Sequence, residues 1–400
     1  MAWSWRRYRP PQPTTALLTG PASARRVHDV LVIGAGIVGA ACALALQQAG
    51  MNVALVDADS PGSGITAAGM GHLVALDESD DELDLCLLSL RLWRDFFADH
   101  PGVGEASRCG TLWVAENETQ LIQASHRAQR LAARGLEVEL LGGAQVARLE
   151  PSLRAGLCGA LRVSGDSVVY PPAVADFLAR QLVAGGGSLF TEQRVTSVNH
   201  ASVMLAGGER LAAGRTVIAA GVQVARLLPE VPVFARKGHL AITDRYPGRL
   251  SHQVVSMNYG QSAAGADALS VAANVQPRTT GQWLVGSCRQ DGQLGPEVDP
   301  VVLSKVLRSA IALLPCLAEM NIVRAWTGMR PASPDGRPLI GAHPGRANVW
   351  LACGHEGLGV TTAFGTARLL ADQLLGLPSE MDASPFDPAR FAALRSVHAH

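Results

Sequence analysis

The sequence predicts an α/β fold built as two packed domains. Three observations carry this reading. A strand, a glycine-rich turn, a helix and a second strand ending in an acid run through residues 29–57. A similar strand, glycine turn and helix recur at 349–375. Between them, strands and helices alternate without internal repeats, and a chain of 400 residues exceeds one core of ordinary size.

Residues 1–28 contain Pro10, Pro11, Pro13 and Pro21, five arginines and no acid. They lack an apolar run of signal-peptide length, so Arg6-Arg7 does not read as an export signal. A transit peptide would share this composition, and a disordered extension is the expectation.

Asp29-Val30-Leu31-Val32-Ile33 is a β-branched run followed directly by Gly34-Ala35-Gly36-Ile37-Val38-Gly39. An Ala/Leu-rich helix then leads to a second strand at 53–56, which ends at Asp57-Ala58. A lone GxGxxG is weak, but in a βαβ unit each glycine has a task. Gly34 permits the tight turn, Gly36 lets backbone approach a pyrophosphate, and Gly39 lets helix and strand pack closely. The helix N-terminus attracts phosphate, and Asp57 is placed for an adenosine ribose. The next loop, 61–71, is small and hydroxyl-bearing, and can run beside a flavin ribityl chain without clashing.

An acidic helix start near Asp80 opens a run with Leu85, Leu88, Leu92 and Phe96 at helical spacing. Strands are expected at 111–115, 157–163, 195–198, 216–220, 233–243, 268–275 and 282–286. Helices are expected at 118–134, 173–184 and 300–314. The chain closes with a strand at 349–352 and a helix from Gly359 to Leu375.

No linker separates the halves, so the nucleotide-binding domain is expected to be discontinuous. It would comprise 29–100, 165–222 and 322–377, with a substrate domain on a mixed or antiparallel sheet from 101–164 and 223–321, and a tail at 378–400.

The charges cancel, with 34 basic and 34 acidic residues, so no global field points to nucleic acid. No apolar run is long enough to predict a membrane span. The seven cysteines are scattered, without zinc or iron–sulfur spacing, and read as buried small hydrophobes in a reducing, cytoplasmic setting. No metal site is expected.

Separated segments converge on one family. They are the dinucleotide motif, Thr66-Ala67-Ala68-Gly69-Met70, and 217–221 ending in Ala220-Gly221. To these are added 326–331 with 333–338, and Gly354-His355-Glu356-Gly357-Leu358-Gly359. The chain resembles the D-amino-acid-oxidase-like FAD oxidoreductases from Asp29 to Leu377, the group that includes glycine and sarcosine oxidases. Within it, 68–72, 236–239 and 354–360 look most like the flavoprotein subunits of bacterial D-hydroxyproline dehydrogenases.

The resemblance implies a Rossmann-type domain, non-covalent FAD, and hydride transfer from the Cα of a small amino or imino acid to flavin N5. The implied FAD contacts extend the first motif through Gly71, Val195 and the turn to Val360-Thr361. Gly328 stands where sarcosine oxidase carries its flavin-linking cysteine, so that covalent link is absent. Arg330 is implied as the clamp on the substrate carboxylate, a role suited to a planar guanidinium; a structural salt bridge is the other reading. His355 and Glu356 sit at the mouth of the C-terminal turn, and Glu356 reads either as a contact to the substrate amine or a partner, or as an acid at a helix N-terminus. His72 either orients substrate or flavin, or is a satisfied structural histidine. Lys237 and His239 are candidates to line the pocket, and Tyr259 to belong to a lid.

The subfamily implies redox partner subunits in a hetero-oligomer, with any iron–sulfur cluster on another polypeptide and a second flavin conceivable at an interface. Three alternatives stand beside this. One is an oxidase reducing oxygen to hydrogen peroxide, and another a flavin-carrying relay subunit, against which Arg330 argues. The third, an NAD(P) dehydrogenase, is disfavoured by the second glycine loop.

Overall fold

The computed structural model describes residues 28–76, 79–258 and 269–391. The candidate lid residue Tyr259, residues 1–27 of the leader and residues 392–400 of the tail lie outside them.

The first sheet grows from the strand His28–Ile33, which is apolar toward both faces. Val30 and Val32 enter one core cluster, while Leu31 and Ile33 enter another. Successive side chains of a strand point to opposite faces, so a continuous apolar run requires cover on both. The order across the sheet is Leu339–Ala342, Val349–Cys353, Arg210–Ile218, His28–Ile33, Val53–Val56 and Ser188–Phe190. Its pairings are parallel except between Leu339–Ala342 and Val349–Cys353.

The helix Ile37–Gln48 covers one face and is itself buried by the helices Pro171–Ala184 and Ala363–Leu375. Its alanines, including Ala40, Ala41, Ala43 and Ala45, let these backbones approach. Trp93, Phe96 and Phe364 seal the same layer, with Trp93 and Phe364 ring centroids 4.1 Å apart. An antiparallel meander, Val195–Asn199 and Ser202–Leu205 running into Arg210–Ile218, feeds the opposite core.

The second sheet runs Ile322–Ala332, Phe234–Thr243, Trp283–Gln290, Leu269–Pro277, Gln253–Ser256, Thr111–Ala115, Gly159–Val163 and Val138–Gly142. All pairs are antiparallel except Gln253–Ser256 with Thr111–Ala115. The helix Pro300–Leu313 packs Val302, Val306, Ala310 and Leu313 into the core beneath it. Its start is well specified: Pro300 stands in the first turn, and the Asp299 carboxylate accepts from the amides of Val301 and Val302.

Three expectations differ from the structure. The strand Ile322–Ala332, expected with the nucleotide-binding segments, pairs instead with Phe234–Thr243 at the edge of the second sheet. Residues 378–391 do not trail away: Phe386 is fully buried, and Arg390 grips both Asp335 and the carbonyl of Arg337. The helix expected from Gly359 starts at Ala363, preceded by a 3-10 turn at Glu356–Leu358. Among the described residues, no helix is long and apolar enough to cross a membrane.

Candidate active site

A cavity of about 700 Å³ opens along the first glycine turn and continues toward the second sheet. At one end, the turn after His28–Ile33 is shaped by contacts that leave no room for side chains. Gly34 has φ +104°, and a Cβ there would meet the Ala219 carbonyl oxygen at 2.5 Å. A Cβ on Gly39 would lie 1.8 Å from the Gly34 oxygen, and one on Gly36 would lie 2.9 Å from Thr66 Oγ1. That hydroxyl accepts from the Ile37 amide at 3.0 Å, tying the second glycine loop to the first.

Asp57 accepts from the amides of Ala35 and Asp59. Burial raises its pKa, and these backbone bonds pull in the opposite direction. A bare-backbone cradle at a helix start, with an acid at the end of the next strand, fits a dinucleotide's pyrophosphate and ribose. Gly34, Gly36, Ile37, Val38, Asp57 and Ala58 all line this end, with Val195, Ala220 and Gly221 beside them. Ala35 and Gly39 shape the turn from behind rather than line it.

The middle of the cavity is walled by Thr66, Ala68, Gly69, Met70 and Gly71. The loop expected at 61–71 contains a short helix, Ile65–Ala68, and Ala67 on it does not line the cavity. Trp326 Nε1 donates to the Ala68 carbonyl at 3.2 Å, and the Gln276 amide donates to that of Met70. Gly328 faces this loop, with space for a Cβ only 3.0 Å from that of Ala68.

At the far end stands Arg330. Its Nη1 donates to the Cys288 carbonyl at 2.8 Å, and its guanidinium lies over Gly238, where a Cβ would be 2.9 Å from Nη1 and Nη2. Gly357 leaves space on another side. Among the described residues no carboxylate forms an ion pair with Arg330. Glu356 is nearby but engaged: its Oε1 is 2.9 Å from Arg289 Nε and 3.4 Å from Arg236 Nη1. Arg236 also pairs with Asp291 at 2.8 Å. The acid is therefore held by two guanidiniums beside the cavity, and it is not at an α-helix N-terminus.

His72 is half-buried and hydrogen-bonded through both ring nitrogens. Nδ1 bonds Gln253 Oε1, and Nε2 faces Asn274 Nδ2 at 3.1 Å. Burial holds its pKa down to about 4, with Arg278 and Arg330 adding to the effect and the Gln253 bond opposing it. His355 is also buried, bonded to Thr366 Oγ1 at 2.9 Å, and burial holds its pKa at about 4.

Beside the main cavity lies a smaller space of about 50 Å³, lined in part by His72, Asn274, Arg289, Glu356 and Leu358. His355, Glu356, Gly357, Gly359 and Val360 line the main cavity; Gly354 and Thr361 do not. Instead, Thr361 Oγ1 donates to the His72 carbonyl at 2.9 Å and fixes that segment.

His239 points away from the cavity. Its neighbours Gly238 and Leu240 line it, and strand alternation turns His239 and Lys237 to the other face. There His239 Nε2 accepts from the Asp299 amide at 3.0 Å, and Lys237 Nζ donates to the Glu297 carbonyl at 2.7 Å. Gln253, Asn274 and Arg289 were not anticipated as site residues. The sequence carried one usable signal: Asn274, Gln276 and Arg278 recur every second residue, giving an otherwise apolar strand one polar face.

A family model described as FAD dependent oxidoreductase (DAO) matches residues 29–373. The chain belongs to that family. FAD is the dinucleotide that the glycine cradle fits. This FAD-dependent oxidoreductase is similar to glycine oxidase of Geobacillus kaustophilus, 27% identical over 382 residues, covering 91% of this chain and 97% of the relative. Hydrogen cyanide synthase subunit HcnC of Pseudomonas aeruginosa is 25% identical over 417 residues, covering 92% and 97%. The crystal structure of the Geobacillus kaustophilus glycine oxidase superposes with a TM-score of 0.81 at 25% identity, over 91% of this chain and 98% of that one. Iminodiacetate oxidase of Chelativorans sp. gives a TM-score of 0.76 at 26% identity, over 90% and 98%.

Proposed function

We propose that this chain oxidises the CH–NH bond of a small amino or imino acid to an imine, with cis-4-hydroxy-D-proline as the first-choice substrate. The observation that carries the class is Arg330: a guanidinium in the cavity, anchored to a carbonyl and without a carboxylate partner among the described residues. Two parallel N–H bonds to a substrate carboxylate would answer that charge and fix the direction of the Cα–H bond.

Bound FAD supplies the two-electron acceptor. The chain supplies position and a dry wall. Gly34, Gly36 and Asp57 hold the nucleotide end, and the loop from Thr66 to Gly71 bounds the middle. Arg330 sets the substrate's reach, while Gly238 and Gly357 leave room for the guanidinium to lie flat. His72 stays neutral near pH 7 and so adds no positive charge that would repel an amine. The small side space favours a compact substrate over one with a long side chain.

The choice of hydroxyproline rests on the resemblance carried by 68–72, 236–239 and 354–360. The same resemblance supports electron transfer to partner subunits, and HcnC is by name a subunit of a larger enzyme. The similarity to glycine oxidase and iminodiacetate oxidase favours a second reading, in which oxygen is the acceptor. The scattered free cysteines support a reducing, cytoplasmic setting.

The test is anaerobic bleaching of the flavin band by cis-4-hydroxy-D-proline, D-proline, glycine, sarcosine and acyclic D-amino acids, with L-enantiomers as controls. Fast bleaching by hydroxy-D-proline alone supports the full proposal. Preference for another amino acid removes the hydroxyproline assignment, and no bleaching by any member removes the class. Rapid hydrogen peroxide release in air selects the oxidase reading.

A further inference from the structure

Among the described residues, one buried acceptor in the site finds no partner. It is Asn274 Oδ1, on a residue that is only 5% exposed and lines both the main cavity and the small space beside it. An unmet buried carbonyl costs free energy unless a ligand or water answers it. The direction in which this amide points is set by a chain of three side chains.

At its closed end, Gln253 Nε2 donates to the Ser167 carbonyl at 3.2 Å, so Gln253 presents Oε1 to His72. That oxygen can only accept, so the His72 proton sits on Nδ1 and Nε2 is left as an acceptor. Asn274 must then turn its NH2 group toward His72, at 3.1 Å. The reverse orientation would set two lone pairs against each other. The backbone carbonyl of Ser167 thereby dictates, through Gln253 and His72, that Asn274 turns its oxygen away from His72.

We infer that Asn274 Oδ1 accepts a hydrogen bond from the substrate's N–H, and that His72 and Gln253 are the positioning residues that keep it facing inward. This rests on the amino-acid reading above, with the carboxylate at Arg330. The two recognition points lie close. Asn274 pairs with Gly286 across the strands, two residues before Cys288, whose carbonyl anchors Arg330. The charge of Arg330 also reaches His72. A neutral amide suits this task better than a carboxylate. It orients an N–H without stabilising the ammonium form, and so leaves the amine lone pair free to assist loss of hydride from Cα. The same arrangement discriminates against acids of similar shape that lack an N–H.

The test uses the flavin-loaded full chain and two inert ring carboxylates, pyrrole-2-carboxylate and furan-2-carboxylate. They differ in an N–H replaced by an ether oxygen. Binding is read from the perturbation of the flavin spectrum, without turnover. The wild type is expected to bind the pyrrole acid about tenfold more tightly, the range for one hydrogen bond to a buried group. Asn274→Ala should abolish that preference while leaving affinity for the furan acid within about twofold, which also shows that the variant is folded and loaded. His72→Phe should reduce the preference in the same way. Equal binding of the two acids by the wild type, or a preference that survives Asn274→Ala, overturns the assignment. Failure of both acids to bind the wild type overturns the carboxylate clamp, and this inference with it.

Discussion

Arg330 hangs from the carbonyl of Cys288, with Nη1 2.8 Å from the oxygen, and its guanidinium lies over a glycine. The two residues come from strands separated by Phe234–Thr243, which contributes Gly238 between them. One face of the guanidinium is thus fixed by backbone while other donors remain for a ligand.

Arg330→Lys should therefore keep the flavin and lose catalysis. A lysine reproduces the charge but not the fork or the carbonyl anchor. A drop of about 30- to 1000-fold in kcat/KM is expected, equivalent to about 2–4 kcal/mol of transition-state binding. Steady-state kinetics on material of unchanged flavin content checks it.

Gly39→Ala should weaken the nucleotide end without touching the ligand directly. Its methyl group would fall 1.8 Å from the Gly34 oxygen, so helix and turn must separate. A loss of about 1–3 kcal/mol is expected from such overpacking, together with loss of FAD on gel filtration. Retention of full flavin and an unchanged melting temperature would count against the turn geometry.

Acid should destabilise the fold through His72 and His355. Both pKa values lie at about 4 in the folded chain, against an ordinary 6.5. The unfolded chain binds more protons between those values, so stability is full above about pH 6.5 and falls as pH drops toward 4. Melting temperature measured from pH 8 to 4 should show that decline. His355→Gln, which keeps a polar partner for Thr366, should make it shallower.

The C-terminal segment should behave as part of the nucleotide domain. Phe386 is fully buried, and Phe386→Ala is expected to cost about 3–5 kcal/mol. Arg390→Ala should cost less, since Asp335 and the Arg337 carbonyl are partly exposed to water. Denaturant melts of the two variants check both size and order.

What could be read from sequence was local or periodic. The run from Asp29 to Asp57 specifies a strand, a turn and a helix through neighbours alone, and the structure places its strands at His28–Ile33 and Val53–Val56. The helix expected at 118–134 spans Glu118–Ala133 for the same reason: Asn117 caps it and the apolar spacing carries it. Strands such as Val138–Gly142 and Gln253–Ser256 escaped, because their identity depends on partners far along the chain.

The site divides in the same way. The glycine cradle was visible because its constraint is backbone conformation. The ion pairs of Glu356 were not, since Arg236 and Arg289 reach it from two other strands. The placement of His239 follows from a pattern the sequence itself contains: alternation along Phe234–Thr243 puts Gly238 and Leu240 on the cavity face and His239 opposite. Asn274 needed the structure, because its orientation is decided at Ser167, far earlier in the chain.

In the proposed function, a carboxylate held by Arg330 aims the amine for oxidation. The most direct test compares anaerobic flavin reduction by an amino acid with reduction by the same amine lacking the carboxyl group, D-proline against pyrrolidine or glycine against methylamine. The amino acid is expected to reduce the flavin at least about 100-fold faster at equal concentration, the scale of two charged hydrogen bonds, and Arg330→Ala to collapse the difference. A decarboxylated amine that reduces the wild-type flavin as fast as its amino acid would contradict it.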